Sequence, residues 1–315
     1  MEDKTIYFDN ASTGWPKPPV VFEAMRHYME AVGANQGRSG HRRAVEAARI
    51  TYGTREALAT LFGVQDPLRI VFAANATESL NLALTGLLRP GDQVITSSME
   101  HNAVMRPLRE LERQGVELTV VSCSPQGALD ARDVEAALGP RARLIALNHG
   151  SNVVGTLLPI REVGRIARRR GVLYLVDAAQ TAGAYPIDVE ADGIDLLAFT
   201  GHKALLGPQG TGGLYIGPRV GLEALRPLLR GGTGSRSELE EQPEFLPDRY
   251  ESGTLNGPGI AGLGAAVRFL LGETVAKVRA HEVALTRRLL EGLARIPRVV
   301  AYGPPDAEQR LANVA

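Results

Sequence analysis

Seven short apolar runs alternate with helical patterns along most of the chain, and this alternation constrains the fold more than any other feature. Most runs are continuously apolar, which is typical of strands buried on both faces of a sheet. The strand–helix–strand order indicates a mainly parallel sheet with helices on both faces. The predicted strands are 69–74, 93–98, 116–122, 143–148, 172–178, 194–200 and 212–217, and the predicted helices between them are 77–88, 103–114, 131–138 and 160–170.

The connection between the last two runs is unusually short, because only eleven residues, 201–211, separate them. A parallel crossover that contains a helix needs about a dozen residues or more, so these two strands are predicted to be antiparallel neighbours. The sequence therefore predicts an α/β fold whose seven-stranded sheet is mainly parallel and has one antiparallel strand.

Segments outside this alternation suggest three regions. The chain has 315 residues, which is more than one hydrophobic core usually serves. Helices are predicted ahead of the sheet and after it, with one long exposed loop between, at 23–32, 44–62, 260–272, 273–295 and, for the loop, 231–247. We expect an N-terminal segment near the site entrance, a large ligand-binding domain, and connecting helices with the start of a small α+β domain, at 1–15, 16–255 and 256–315. Because LANVA at 311–315 resembles the opening of a strand, we expect the small domain to continue beyond residue 315.

Charge and cysteine content exclude several functions. The 35 basic residues balance the 35 acidic ones, which argues against nucleic acid or a membrane surface as a partner. The single cysteine, Cys123, allows neither an internal disulfide nor a zinc-type spacing. No apolar leader opens the sequence and no run approaches the roughly 20 apolar residues of a membrane span, so we expect a cytoplasmic protein.

Lysine is rare in this chain, and Lys203 stands where ligand sites form. Only four of the 35 basic residues are lysines, and Lys203 directly follows the predicted strand 194–200. Open α/β sheets bind ligands beyond the carboxyl ends of their strands, and a desolvated lysine there becomes a nucleophile. Taken alone, however, a lysine after a strand is more often an exposed turn residue.

Asp177 changes that balance, because it places a carboxylate at the end of the buried strand 172–178. A buried charge is costly without a partner, and an aspartate there suits a protonated pyridine nitrogen. Gln180, three residues later, is a donor for an oxygen on the same ring. The alternative is that Asp177 only caps the next segment.

Further polar residues follow the other strands. The turn ANATE at 74–78 leads into a helix, which makes it either an anion site with the Thr77 hydroxyl or a simple helix cap. His101 suits stacking on a flat ring, although a lone histidine there is more often a satisfied polar side chain. Asn152 is suited to a cofactor oxygen, and Thr200 and His202 to a phosphate. One ligand needs this whole set, and that ligand is pyridoxal 5′-phosphate (PLP).

The motifs around these residues resemble those of a known family. The chain is similar to the class V aminotransferase group of fold-type I PLP enzymes, specifically to its cysteine desulfurase and selenocysteine lyase branch. The resemblance covers essentially the whole chain, and it rests on YFDNAST, the ANxxRSGH pattern at 34–41, ANATESLNLAL, SSMEHNA, NHGSNVVGTLLPI, VDAAQTAGAYPIDV, DLLAFTGHKALLGPQGTGGLYI, the GGTG after Arg230, and YESGTLN.

The resemblance implies a role for each site residue. Lys203 carries PLP as an imine and moves protons, Asp177 pairs with the pyridine nitrogen, and His101 stacks over the ring; these three are the expected catalytic residues. Gln180 contacts the ring hydroxyl, and Asn152 lies near the ring and the substrate. The residues expected at the phosphate are Ala76, Thr77, Thr200, His202 and, toward the neighbouring subunit of a homodimer, Thr233. Asn10 and Ala11 are expected to line the substrate entrance.

The implied reaction converts L-cysteine to L-alanine and leaves the sulfur on an enzyme cysteine, from which a sulfur-acceptor protein takes it. In the family that cysteine, and the arginine that binds the substrate carboxylate, belong to the small domain. Cys123 lies at a position that the family does not use, so we expect an inert thiol there and a nucleophile outside this chain. Two alternatives stay open: another class V reaction on a small amino acid (transamination, lyase or epimerase chemistry), or a PLP-binding protein without turnover.

Overall fold

The structure is a computed structural model that describes residues 6–37, 40–236 and 238–315. The start of the predicted N-terminal segment, two residues of the pattern at 34–41 and one residue of the loop at 231–247 therefore lie outside the described residues.

All seven predicted strands form one sheet. Its strands are β1 (Ile70–Ala73), β2 (Gln93–Ser97), β3 (Glu117–Val121), β4 (Ala142–Asn148), β5 (Leu173–Asp177), β6 (Leu196–Thr200) and β7 (Gly212–Ile216). The order across the sheet is β1-β7-β6-β5-β4-β2-β3. β7 is antiparallel to both β6 and β1, and every other neighbouring pair is parallel. The predicted fold class, including the single antiparallel strand, is confirmed.

Within the described residues, eight α-helices surround the sheet: α1 (Pro19–His27), α2 (Arg42–Phe62), α3 (Ala76–Leu87), α4 (Asn102–Arg113), α5 (Ala131–Ala136), α6 (Ile160–Arg170), α7 (Gly257–Glu273) and α8 (Val275–Leu293). α1 begins four residues before the predicted helix at 23–32, since a proline at the first helical turn costs no hydrogen bond. It continues as a π-helical turn over Tyr28–Val32.

Two apolar cores lie on opposite faces of the sheet. One packs α3 and α4 against it and includes Leu80, Leu84 and Leu108. The other packs the helices of the opposite face and includes Phe62, Val163 and Leu263. With both faces covered, every strand except the edge strand β3 is buried along most of its length, which explains the continuous apolar character of these strands.

This topology brings five chain segments to one edge of the sheet. The carboxyl ends of β2, β4, β5 and β6 meet there because these strands are parallel. β1 ends at the same edge, since it is antiparallel to β7, which is itself antiparallel to β6. The polar residues that follow these strands in sequence are therefore neighbours in space.

The end of the chain differs from the prediction. Residues 311–315 form no strand; a 3-10 helix covers Ala307–Gln309 instead, and Arg310 makes an isolated bridge with Thr156. Two buried arginines hold this segment: Arg279 donates to three of its carbonyls, and Arg310 donates to the Pro304 and Asn313 carbonyls. The backbone groups of this segment bond to these side chains and to the loop after β4. The apolar run at 311–315 therefore does not form a strand. The division into three regions stays a prediction.

No single helix in the described ranges has the length and hydropathy of a membrane span. α7 and α8 have that length and hydropathy only when they are taken together, and a bend of 77° separates the two helices.

Candidate active site

A pocket of about 530 Å³ opens at the edge of the sheet where the strand ends meet. Its walls come from the turn after β1 and from the segments that follow β2, β4, β5 and β6. Nine of the twelve residues predicted for the site line it: Ala76, Thr77, His101, Asn152, Asp177, Gln180, Thr200, His202 and Lys203.

Asp177, the last residue of β5, brings a buried carboxylate to the pocket floor. Its side chain accepts a hydrogen bond from the Ala179 amide at 2.9 Å, so it does cap the following turn, as the alternative interpretation held. None of the ion pairs among the described residues includes it. Burial raises the pKa of Asp177, and the hydrogen bond from the Ala179 amide and the charge of Lys203 only partly oppose this. A cation placed against this carboxylate would restore its ionised form.

Lys203 stands in the turn after β6, across the pocket from the end of β5. Burial lowers the pKa of its amine, and the charge of Asp177 partly opposes that effect. Lowering the pKa increases the neutral fraction of the amine, which is the form that attacks a carbonyl carbon. Burial of Lys203 in the pocket thus acts in the direction that favours nucleophilic attack by its amine.

The first turn of α3 lines the same pocket through Ala76 and Thr77. Asn75 caps the helix by accepting the Glu78 amide at 3.0 Å, and the Glu78 carboxylate accepts the Ala74 amide at 2.6 Å. These two bonds leave the amides of Ala76 and Thr77 without an intrahelical acceptor. A helix start of this kind attracts an anion through its free amides and its dipole.

Two further polar atoms of the pocket lining have no partner among the described residues. The Thr200 hydroxyl and the His202 Nδ1 atom are buried, and neither makes a hydrogen bond within the described residues. Burial, together with the charges of Lys203 and Lys17, lowers the pKa of His202 and favours its neutral form. Unpaired buried polar atoms are costly, so their position beside the α3 amides fits a ligand that brings several oxygen atoms.

His101 forms the pocket wall at the start of α4. Its Nδ1 atom accepts the Ala103 amide at 3.1 Å, which caps the helix and leaves the ring proton on Nε2. The cap fixes the imidazole ring at the pocket wall, where the sequence predicts it to cover a flat ligand.

Gln180 and Asn152 connect the pocket to the two ends of the chain. Gln180 Nε2 donates to the Ala11 carbonyl at 3.1 Å. Asn313 Nδ2 donates to the Asn152 carbonyl at 3.1 Å. On the N-terminal side, the His202 carbonyl accepts three hydrogen bonds, from the Gly14 amide, the Thr13 hydroxyl and the Lys17 amine.

Three predicted residues lie outside the pocket lining. Ala11 is attached to it only through Gln180. The Asn10 side chain accepts the Trp15 amide at 2.9 Å. Thr233 lines a second pocket of about 920 Å³ together with Arg55 and Glu251. Their roles at a substrate entrance and toward a neighbouring subunit stay predictions.

Several residues of the site were not predicted from the sequence. Asn75 and Asn148 line the pocket, and the Asn148 Oδ1 atom is buried without a partner in the described part of the chain. Glu100 lies just behind the wall, beside His101. Asn148 ends a predicted strand, just as Asp177 does, so its position was a usable signal. Glu100 gave none, because only its contacts in the folded chain distinguish it.

Together, these residues fit a flat ligand with three features. A cationic ring nitrogen suits Asp177, a phosphate suits the start of α3 with Thr200 and His202, and a carbonyl carbon suits the Lys203 amine.

Comparisons with known proteins point in the same direction. The profile of the family described as Aminotransferase class-V matches residues 6–315. A probable cysteine desulfurase of Methanothermobacter thermautotrophicus is 37% identical over 305 residues, which are 96% of this chain and 75% of that protein.

Solved structures agree with these matches. The apo structure of a cysteine desulfurase from Thermococcus onnurineus has a TM-score of 0.92 and 34% identity, and the match covers 99% of this chain and 78% of that one. A structure of SspA in complex with cysteine has a TM-score of 0.74 and 33% identity, with coverage of 84% and 72%.

Proposed function

Because the chain belongs to the class-V aminotransferase family, as its motifs predicted, we propose that it is a PLP-dependent enzyme of the cysteine desulfurase type. One observation carries the proposal: a buried amine, a buried carboxylate without a cation, and two unpaired polar atoms at a helix start share one pocket. A cytoplasmic location and a homodimer with shared sites remain part of the prediction.

The residues present fit PLP at each of its functional groups. Asp177 would hold the ring nitrogen, Lys203 the carbonyl carbon, and Gln180 the ring hydroxyl. The phosphate would lie at the start of α3, among Thr77, Thr200 and His202. When bound, PLP supplies an electron sink for the charge that develops on the substrate Cα.

The chain's own residues would then act on L-cysteine in defined ways. Asp177 keeps a positive charge on the ring nitrogen, since an ion pair in a buried site favours both charged forms. The Lys203 amine accepts the Cα proton and later returns a proton to the alanine carbon. His101 covers the pocket and limits the access of water, Asn152 orients the substrate, and Asn10 and Ala11 line the substrate entrance.

The sulfur step needs a thiolate that the pocket does not contain. Cys123 is the one cysteine of the sequence, and burial raises the pKa of its thiol, which opposes the reactive thiolate form. It lies after β3 and not in the pocket lining. We therefore assign sulfur acceptance to a thiol outside residues 1–315. This thiolate bonds to the substrate sulfur while the Cβ–S bond breaks; the electron pair of that bond stays on Cβ, which takes up the proton released by the substrate thiol, and alanine leaves.

Covalent labelling of the lysine tests the proposal. The chain is incubated with PLP, reduced with borohydride, digested and examined by mass spectrometry. We expect the label on the Lys203 peptide, and we expect Lys203→Ala to lose both the label and the visible absorbance of lysine-bound PLP. Lys277→Ala, which removes an exposed lysine of α8, is the matched control and should keep both.

Product analysis then separates the alternatives. With L-cysteine and a small thiol as sulfur acceptor, we expect alanine and sulfide. A keto acid would instead indicate transamination, and a labelled protein that forms no product would indicate PLP binding without turnover. Persistence of the label in Lys203→Ala would contradict the proposed site altogether.

A further inference from the structure

Glu100 joins the ends of two strands behind the pocket wall. It follows β2 and precedes His101. Its Oε1 atom lies 2.6 Å from the Ser97 hydroxyl, and its Oε2 atom accepts the Asn148 amide, the last of β4, at 2.9 Å. The Asn148 side chain donates to the Met99 carbonyl at 2.6 Å. The regular pairing of β2 with β4 ends at Ile95, so the Glu100 carboxyl group occupies the gap where the two strands separate.

The groups that face this carboxyl group offer it no cation. On β5 they are Asp177 and Tyr174, and after β3 the Cys123 thiol. Among the described residues no lysine or arginine pairs with Glu100. Its carboxyl group is enclosed by protein, although the residue as a whole remains partly accessible. Two carboxyl groups thus share one buried region, and Asp177 is the one that must be ionised to hold a ring cation.

We propose that Glu100 is a positioning residue of this site: it acts as a neutral carboxylic acid that ties β2, with the segment leading to His101, to the end of β4, and it leaves Asp177 as the only buried negative charge there. This inference rests on the proposed function. The neutral acid donates its proton to the Ser97 hydroxyl and still accepts the Asn148 amide, and a separation of 2.6 Å suits either direction of an O–H···O bond. Burial, as the main cause, and the charge of Asp177 raise the pKa of Glu100 to about 8, which agrees with this state.

The neutral state has a consequence for stability that can be measured without PLP. A carboxyl group whose pKa is raised on folding stabilises the folded state fully below its unfolded pKa of 4.5 and loses that contribution as the pH rises to about 8. In this range the unfolded chain loses a proton that the folded protein keeps. Glu100→Gln removes the titration but preserves the shape and the acceptor for Asn148.

The first experiment measures urea unfolding of the PLP-free protein between pH 5 and pH 8. The unfolding constant of the wild type, divided by that of Glu100→Gln, should increase about tenfold per pH unit. Glu112→Gln, at an exposed glutamate of α4, should leave the pH profile of the wild type unchanged. A ratio that stays flat for Glu100→Gln would overturn the neutral state.

The second experiment tests positioning through PLP binding at pH 7. We expect Glu100→Gln to bind PLP within about threefold of the wild type, and Glu100→Ala to bind it at least tenfold more weakly, because the tie between the strands is lost. Unchanged affinity in Glu100→Ala, or loss in both variants, would overturn the positioning role.

If Glu100→Ala does not fold, Glu100→Gln alone decides the matter, since an ionised Glu100 would make that substitution harmful. Failure of the lysine labelling above would refute the PLP site and leave the pH profile intact, so the two failures are distinguishable.

Discussion

The buried Thr200 hydroxyl lowers the stability of the PLP-free protein, and a bound ligand would remove this effect. Its hydroxyl is buried at the end of β6 and has no partner among the described residues. Burying an unpaired hydroxyl costs roughly 1–3 kcal/mol, so the free energy of unfolding of the PLP-free protein is lower than the packing alone would give. A phosphate oxygen beside the hydroxyl would convert this cost into a charge-assisted hydrogen bond.

Thr200→Val should therefore act in opposite directions on stability and binding. Valine keeps the shape and suits a strand, so we expect the PLP-free protein to unfold at the same or a higher urea concentration. We expect its PLP affinity to fall about tenfold or more, since a hydrogen bond to a charged group contributes about 1.5–3 kcal/mol. Fluorescence titration with PLP and urea unfolding measure the two effects.

Thr211→Val is the matched control for this substitution. Thr211 is also buried, but its hydroxyl donates to the Pro208 carbonyl at 2.6 Å. We expect this variant to lose stability and to keep its PLP affinity. A Thr200→Val protein that behaved in the same way would argue against a phosphate at Thr200.

At the scale of the element, the N-terminal cap of α3 determines the orientation of the first turn of the helix. Asn75 and Glu78 use their side chains on the Glu78 and Ala74 amides, and this fixes the direction in which the remaining amides point. The polar residue at the cap thus supports the helix without occupying the anion site itself.

Substituting Asn75 separates these two roles. Asn75→Asp keeps an acceptor for the Glu78 amide, so we expect little change in stability, whereas Asn75→Ala should cost about 1 kcal/mol. The added charge of Asn75→Asp should repel a phosphate and weaken PLP binding more than Asn75→Ala does. Thermal unfolding and PLP titration of both variants provide the comparison, and equal PLP affinities would contradict an anion at this helix start.

The secondary-structure elements were also the part of the fold that was predicted best from the sequence. Buried strands such as β5 and β7 begin and end within two residues of their predicted bounds, because a continuous apolar run flanked by polar or glycine residues has few other uses in a two-faced sheet. The predicted strand at 311–315 was wrong, since local composition says nothing about which backbone is available for pairing. Glu100 was missed for the same reason: its partners, Ser97 and Asn148, belong to different strands.

On the scale of the whole molecule, both ends of the described chain are attached to the loops of the pocket. The N-terminal segment meets the Lys203 turn so closely that a Cβ atom on Gly14 would lie 2.7 Å from the Lys203 carbonyl oxygen. The C-terminal segment meets the loop after β4, where Leu311 donates to the Gly155 carbonyl and Leu157 donates to the Gln309 carbonyl. The pocket is therefore held from both ends of the sequence.

Arg310→Met should loosen the second of these attachments. Methionine fills much of the same volume, but the Pro304 and Asn313 carbonyls lose their donor, and each unsatisfied buried group costs about 1–3 kcal/mol. We expect the free energy of unfolding to fall by about 2 kcal/mol or more, and the Leu157 amide to exchange its hydrogen faster. Arg287→Met, which removes an exposed ion pair with Glu308, should change stability by less than about 1 kcal/mol. Equal effects of the two substitutions would contradict a structural role for Arg310.

The antiparallel strand β7 also governs when this pocket can form during synthesis. Among the described residues β1 pairs with β7 alone, so Ile70 cannot pair until Tyr215 has been synthesised. The strands β2, β3, β4 and β5 can pair with near neighbours much earlier. Contacts so distant in sequence form late and slowly. The helix start that suits a phosphate follows β1, and the lysine precedes β7. A nascent chain therefore assembles most of the sheet first and joins the two halves of its ligand site in one of its last folding steps.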